Sequence, residues 1–180
     1  MSDIEGLAPP EKPQGIHRFK DGSEYFDHIR QVNEIFYDQI KISDQKAAYI
    51  FTFMLAFLVS SSEGRGVFSW NRYMSDNIPA IAISAILAAA SVYSIICAIL
   101  VVLPRKNART TTLFWGAWHL HKDRFLVAAE NRDADYLFQQ YVDNVSTLSE
   151  IARAKYRFVG LAFRGLVITV LAFVLLPIVT

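Results

Sequence analysis

The stretch from Ser23 to Glu63 contains neither glycine nor proline. Those are the two residues that most readily interrupt a helix, so nothing in it forces a break. It begins as a charged amphipathic pattern in which Ile29, Val32, Phe36 and Ile40 recur at helical spacing. It then passes through Asp44 and Lys46 directly into an apolar run, Ala47 to Ser60. A water-facing helix and a lipid-facing helix are thus fused end to end, with ionisable residues at the join. Backbone entering lipid must satisfy its own hydrogen bonds, so helix is the form this stretch has to keep.

The chain has 180 residues, a single cysteine and a formal net charge of +1. That fits one domain and gives no basic footprint for nucleic acid. The average hides segregation, because charges are nearly absent from three windows. Pro79 to Leu103 has no charged residue and is closed by Pro104-Arg105-Lys106. It is long enough to cross a hydrocarbon core of roughly 30 Å. Phe158 to Val179 is also long enough, although it carries Arg164. Ala47 to Ser60 is short and must borrow Ser61, Ser62 and the stem of Lys46. The spans expected are therefore about 46–62, 79–103 and 158–179.

Orientation follows from the distribution of Lys and Arg. Six precede the first span, two lie between Glu63 and Ile78, and nine lie between Pro104 and Arg157. This places the N-terminus and the long central segment in the cytoplasm, and the loop carrying Trp70 and Tyr73 outside. The first apolar run starts too late for a cleaved signal peptide. Cys97 has no intrachain partner and there is no CxxC pattern.

Residues 1–22 read as a flexible arm; the first fifteen hold three prolines and two glycines. Residues 23–180 read as a single unit. Thr110 or Thr111 suits a helix cap, followed by one or two short helices through Leu113 to Asn131. These either fill a core or lie on the membrane surface. From Asp133 to Val159, Leu137, Tyr141, Val145, Leu148 and Ala152 recur at helical spacing and lead into the last span. The fold class is an all-α membrane protein, three transmembrane helices extended into a cytoplasmic helical bundle over 105–157. Small residues Ala80, Ser84, Ala88, Ser91 and Ala98 form a stripe on the second span. Such stripes serve close helix packing, within the chain or between copies.

Catalytic patterns are missing: there is no HExxH, GxSxG or Walker loop, so no enzyme activity, metal or cofactor is expected. His119 and His121 are two apart and face different ways on a helix. The ionisable residues at the membrane boundary are more informative. Asp44 and Lys46 are also two apart and do not pair with each other. If Ala47 and Phe158 enter the bilayer at equal depth, Asp44 is level with Lys155, with Arg153 and Arg157 within a turn. The same count sets Asn33 beside Asn144. An ion pair between Asp44 and this basic cluster is expected; separate interfacial charges are the other reading. Arg164, inside a span, either snorkels or pairs, or else lines a water-filled path.

These residues together resemble a known family. Asn33 followed by Ile42-Ser-Asp-Gln-Lys-Ala-Ala48 is similar to the N-x(10)-D-x-K-A signature of the Pycsar transmembrane effectors. Leu113-Phe-Trp-Gly-Ala-Trp118 resembles that family's aromatic-glycine segment, with Trp115 in place of the commoner Phe. Glu150-Ile-Ala-Arg-Ala-Lys-Tyr156 resembles its last amphipathic helix. The match runs over about residues 24–176. The resemblance implies a multi-pass protein of the bacterial inner membrane that acts in antiphage defence. It implies a functional link to a pyrimidine cyclase, whose product, cCMP or cUMP, activates the effector to impair the membrane. No glycine cassette for phosphate is present. The nucleotide would then be held at the cytoplasmic helix ends, its phosphate by Lys41, Lys46, Arg153 or Lys155 and its base by Tyr37, Trp115 or Trp118. Asn33, Asp44 and Arg164 would be structural or gating residues. Membrane lipid and further copies of the chain are the expected partners, since three helices alone do not enclose a useful pore. A non-enzymatic membrane adaptor that binds a protein through the cytoplasmic helices is the alternative.

Overall fold

A computed structural model describes residues 23–104 and 111–179, with only the backbone at Trp115. The N-terminal arm expected over 1–22 and the connector at 105–110 lie outside the described residues. Five α-helices follow in order: α1 (Ser23–Ser60), α2 (Ser62–Gly66), α3 (Ile78–Val102), α4 (Trp118–Glu130) and α5 (Ala134–Val179). Short 3-10 turns at Trp70–Met74 and Trp115–Ala117 complete the list, and no strand occurs among the described residues. α1, α3 and α5 are each long and apolar enough to cross a membrane.

α1 and α5 are much longer than a membrane is thick, at about 57 Å and 69 Å for 1.5 Å per residue. α3 ends at Val102, and beyond that level α1 and α5 continue together as a pair of rods. They run parallel: Asn33 meets Asn144, Asp44 meets Lys155, and the Phe57 and Phe173 rings meet edge to face at 4.9 Å. α3 runs antiparallel to both, with Ser94 against Ala162 and Ser91 against Thr169. Near the rod tips Phe26 and Tyr141 form a further edge-to-face pair at 5.4 Å.

The first rod ends three residues before the glycine- and proline-free stretch does. The chain bends at Ser61, whose hydroxyl accepts from the Gly64 amide and caps α2. The Arg65 guanidinium donates back to the Val59 carbonyl at the end of α1. A side-chain cap thus stops the helix within a run of three serines, Ser60 to Ser62, a residue type that favours caps over helix interiors. At α5 the Asp133 carboxylate accepts from the Tyr136 amide and opens the helix.

The three-helix core combines small and hydroxylated residues with a few large apolar ones, Met54, Leu87, Val101 and Leu176. Ala47, Ser84, Ser91, Ser94, Ala98, Ala162, Gly165, Thr169 and Ala172 are buried, while Phe53, Val59, Ile86, Ile96, Phe163 and Leu171 are exposed. This distribution suits lipid, in which large apolar groups lose nothing by facing outward and close backbone approach supplies the attraction. Most of the small stripe on the second span is therefore used inside the chain: Ala80, Ser84, Ser91 and Ala98 are buried and Ala88 packs beside Leu87 and Leu176. Ser94 donates to the Ala162 carbonyl at 2.7 Å, and a Cβ at Gly165 would lie 2.9 Å from that of Ser94.

The bundle expected beyond the spans does not close among the described residues. α4 packs on the Trp115–Ala117 turn, Ala128 is its one buried residue, and Trp118, Leu120, Leu126 and Val127 stay exposed. α4 therefore leaves α1 and α5 as a two-helix extension and does not fill a core.

Two glycines give a matched test of the α3–α5 contact. Gly165→Ala places a methyl against Ser94 and destabilises the protein by about 1–3 kcal/mol, the usual cost of overpacking. Gly160→Ala meets nothing within 4 Å and is neutral or stabilising by up to about 1 kcal/mol, from helix propensity alone. Thermal unfolding of the two variants in one detergent checks the difference. Equal melting temperatures would show that the α3–α5 approach is not tight.

Candidate functional site

The place where α3 ends and the rods begin is held by one side chain. The last carbonyls of any helix lack intrahelical partners. At the end of α3, the Val101 carbonyl accepts from the Lys155 Nζ at 2.8 Å. The same ammonium donates to the Asp44 carboxylate on α1. Lys155 belongs to α5, so a single cation joins all three helices. It also sits at the negative end of the α3 macrodipole. Only 6% of Lys155 is exposed. A buried ammonium is tolerable only when paired and hydrogen-bonded, and both conditions hold here.

The neighbours of this pair point different ways. Lys46 lies over the ring of Tyr156, 5.4 Å from its centroid, and the Tyr156 hydroxyl donates to Gln39 at 2.6 Å. Asp44 and Lys46 thus take separate partners on α5, as their two-residue spacing requires. One turn earlier on α1, Ser43 is fully buried and donates to the Ile40 carbonyl at 2.6 Å.

A second buried polar cluster lies farther along the rods. The Asn144 amide donates to the Asn33 side-chain oxygen at 2.6 Å and accepts from the Thr111 hydroxyl at 3.1 Å. Gln140, one turn earlier on α5, accepts from the Thr112 amide at 2.9 Å and from its hydroxyl at 3.2 Å. Thr111 is therefore not a helix cap. It ties the segment leading to α4 down onto α5, and α4 starts at Trp118 without a side-chain cap.

The residues expected to hold a nucleotide do not converge on one point. Tyr37 and Lys41 are exposed on the outer side of α1. Lys46 is exposed at the junction beside Tyr156. Arg153 lies on the outer side of α5. It lines an open pocket of about 570 Å³ together with Ser149, Glu150, Ala154, Arg157 and Phe158. Lys155 faces the interior, and any phosphate contact from it requires the Asp44 pair to open. Trp118 is exposed on α4, 5.6 Å from the Phe125 ring between centroids. The Trp115 side chain lies outside the described residues. Arg164 is exposed on the apolar shell of α5. Of the basic cluster expected to pair with Asp44, Lys155 is the member that does, and Asn33 meets Asn144 as the equal-depth count sets them. That count gave no sign of two further contacts. It missed the Val101 carbonyl, because a backbone acceptor has no sequence signature, and the Thr111–Asn144 bond, which depends on how the connector folds back.

The chain's order of features is a rod, a span, a hairpin span and a second rod that re-enters the membrane, keyed by Asn33, Asp44 and Lys155. It is matched over residues 28–180 by the family model described as the Pycsar effector protein domain. The chain belongs to the Pycsar effector family. Neither a comparison with curated proteins nor one with solved structures gave a match. Membership makes this Pycsar effector a membrane effector of antiphage defence with a functional link to a cyclase system.

The junction makes two predictions. Asp44→Asn and Lys155→Met each destabilise the effector, Lys155 being the more buried. Removing one member of a buried pair costs about 3–5 kcal/mol, less here because the Asp44 side chain is 37% exposed. The double variant recovers part of the loss, with a coupling of about 0.5–3 kcal/mol in a thermodynamic cycle. Strictly additive losses would show that the contact has no energetic meaning. Asn144→Leu strands Asn33 and Thr111 and costs about 1–3 kcal/mol per stranded group. Its faster amide exchange in residues 111–117 would report the release of that segment.

Proposed function

We propose that this Pycsar effector senses a cyclic pyrimidine mononucleotide, cCMP or cUMP, and impairs the bacterial inner membrane to stop growth of the infected cell. The observation that carries the reading is mechanical: α1 and α5 are each continuous from a polar rod into an apolar span. A change in how the rods sit is carried into the membrane without passing through a loop. The rods face the cytoplasm, where the nucleotide is made, as the excess of Lys and Arg at that end supports. The chain acts as a homo-oligomer, because three helices packed directly on one another enclose no pore of useful width.

The nucleotide binds where basic and aromatic groups flank the junction. Lys46 and Arg153 supply charge from opposite sides, Lys41 and Tyr37 extend the α1 face, and Trp115 comes from the segment that Thr111 and Thr112 tie to α5. Charge-assisted bonds to the phosphate and stacking on the base are the interactions required. A ligand changes the rod arrangement only by binding one arrangement more tightly. Moving it from 1:99 to 99:1 takes a preference of about 10⁴-fold. The Asp44–Lys155–Val101 contact is the element that must rearrange, with Asn33 holding the rods above it.

Dye release from liposomes containing the full-length effector tests this. Release occurs on adding cCMP or cUMP and not with AMP. Lys46→Ala with Arg153→Ala shifts the nucleotide dose by about tenfold or more. The exposed apolar side chains of α4 favour a second reading, a membrane adaptor docking a protein there. No release with any nucleotide, together with a stable protein partner lost on Leu120→Glu, would establish the adaptor instead.

A further inference from the structure

Four exposed residues of α5 line up on one stripe of the helix: Arg153, Arg157, Gly160 and Arg164. At 100° per residue, the last three lie within about 40° of Arg153 around the axis. Along the axis, Arg153 lies about 3 Å before the buried Lys155 and Arg157 about 3 Å past it. Arg164 lies about 14 Å past it, well inside the span. None of the three arginines forms an ion pair among the described residues. The surroundings of Arg164 are mostly apolar, since Phe163, Val167, Ile168 and Leu171 are all exposed there, and Tyr93 of α3 is the polar side chain within electrostatic reach of it. Between Arg157 and Arg164 the helix surface is notched: a Cβ on Gly160 would meet nothing within 4 Å.

A guanidinium inside the hydrocarbon region is costly unless it reaches a polar partner. Side chains on a helix lean toward its N-terminus, so Arg164 leans toward Arg157 and the rod end. The two arginines are about 10 Å apart along the axis, so a phosphate midway is within reach of both. Guanidinium forks match phosphate oxygens in a bidentate way.

We infer that this stripe binds the headgroup of an anionic phospholipid, its phosphate held between Arg157 and Arg164 and its glycerol neck seated in the Gly160 notch. The acyl chains then run along Phe163, Val167 and Leu171. Depth decides in favour of lipid over a water-soluble phosphodiester, because Arg164 is reached from within the apolar shell. This site is separate from the buried Lys155 contact, which faces the other helices.

The test is native mass spectrometry of the full-length effector in detergent, titrated with phosphatidylglycerol or phosphatidylcholine. The wild type retains phosphatidylglycerol saturably and in preference to phosphatidylcholine. Arg157→Gln and Arg164→Gln each weaken retention about fivefold, as expected for one basic group at a lipid surface. Gly160→Leu keeps every charge, fills the notch and weakens retention as well. Lys122→Gln with Arg124→Gln, on α4, leaves retention unchanged. The inference is overturned by unaltered retention in the double variant Arg157→Gln/Arg164→Gln, or by an equal loss from the α4 pair. Displacement of phosphatidylglycerol by free cCMP would also overturn it, by assigning the stripe to a soluble phosphodiester.

Discussion

One ammonium sets the geometry of this effector. Lys155 sits at the level where α3 ends, and it is bonded to α1 through Asp44 and to α3 through the Val101 carbonyl. The rest of the structure is arranged around that point. On one side, three apolar helices pack through alanine, serine and glycine. On the other, α1 and α5 continue as a pair, joined by amide and hydroxyl contacts and by the Phe26–Tyr141 ring pair. A buried charge is a poor source of net stability but a strict specifier, because a misregistered helix would leave it unpaired at great cost. Asp44–Lys155 therefore fixes the depth of α1 against α5, and the Val101 carbonyl fixes the length at which α3 must stop.

The membrane half and the rod half obey different rules. In the membrane half many large apolar residues face outward, while small ones together with Met54, Leu87, Val101 and Leu176 face inward. Attraction there comes from close packing, with the Ser94–Ala162 bond and the Gly165 approach locking α3 onto α5. In the rod half the contacts among the described residues are largely polar, Asn33–Asn144, Gln39–Tyr156 and the threonines that hold the segment before α4, with the Phe26–Tyr141 ring pair and the buried Leu148 beside them. Such contacts can open individually at modest cost. In the proposed mechanism, a tight apolar end and a loosely tied polar end suit an input at the rods and an output in the bilayer, coupled at the junction between them.

The arginine stripe on α5 adds a second relation to the membrane. Lys155 looks inward and holds the chain together, while Arg157 and Arg164, on the opposite side of the same helix, look outward to lipid. A rotation of α5 that loosens the first would move the second. Rod position, junction and lipid contact are thus linked through one rigid helix.

Much of this could be read from the residues. The helical class follows from windows without charge and rods without glycine or proline, since lipid allows few other backbones. The pairings Asp44–Lys155 and Asn33–Asn144 followed from counting equal depth along two parallel helices, which works because the rise per residue is constant. The family was legible because its motif residues are the ones that make these contacts. Other features needed the folded chain. The Val101 acceptor is a backbone group with no signature, and the stop at Ser61 depends on which of three consecutive serines turns its hydroxyl to cap the next helix. The small-residue stripe served intrachain packing or self-association equally well until α5 was seen against it. The failure of α4 to fill a core, and the alignment of Arg153, Arg157 and Arg164 on the side of α5 turned away from the Lys155 contact, depend on which side of each helix its neighbours occupy. The sequence by itself determined which segments are helical and how deep each residue lies, because periodicity and length are local properties. Only the tertiary structure decided which way each residue faces, because that depends on how three helices rotate to bury one charge.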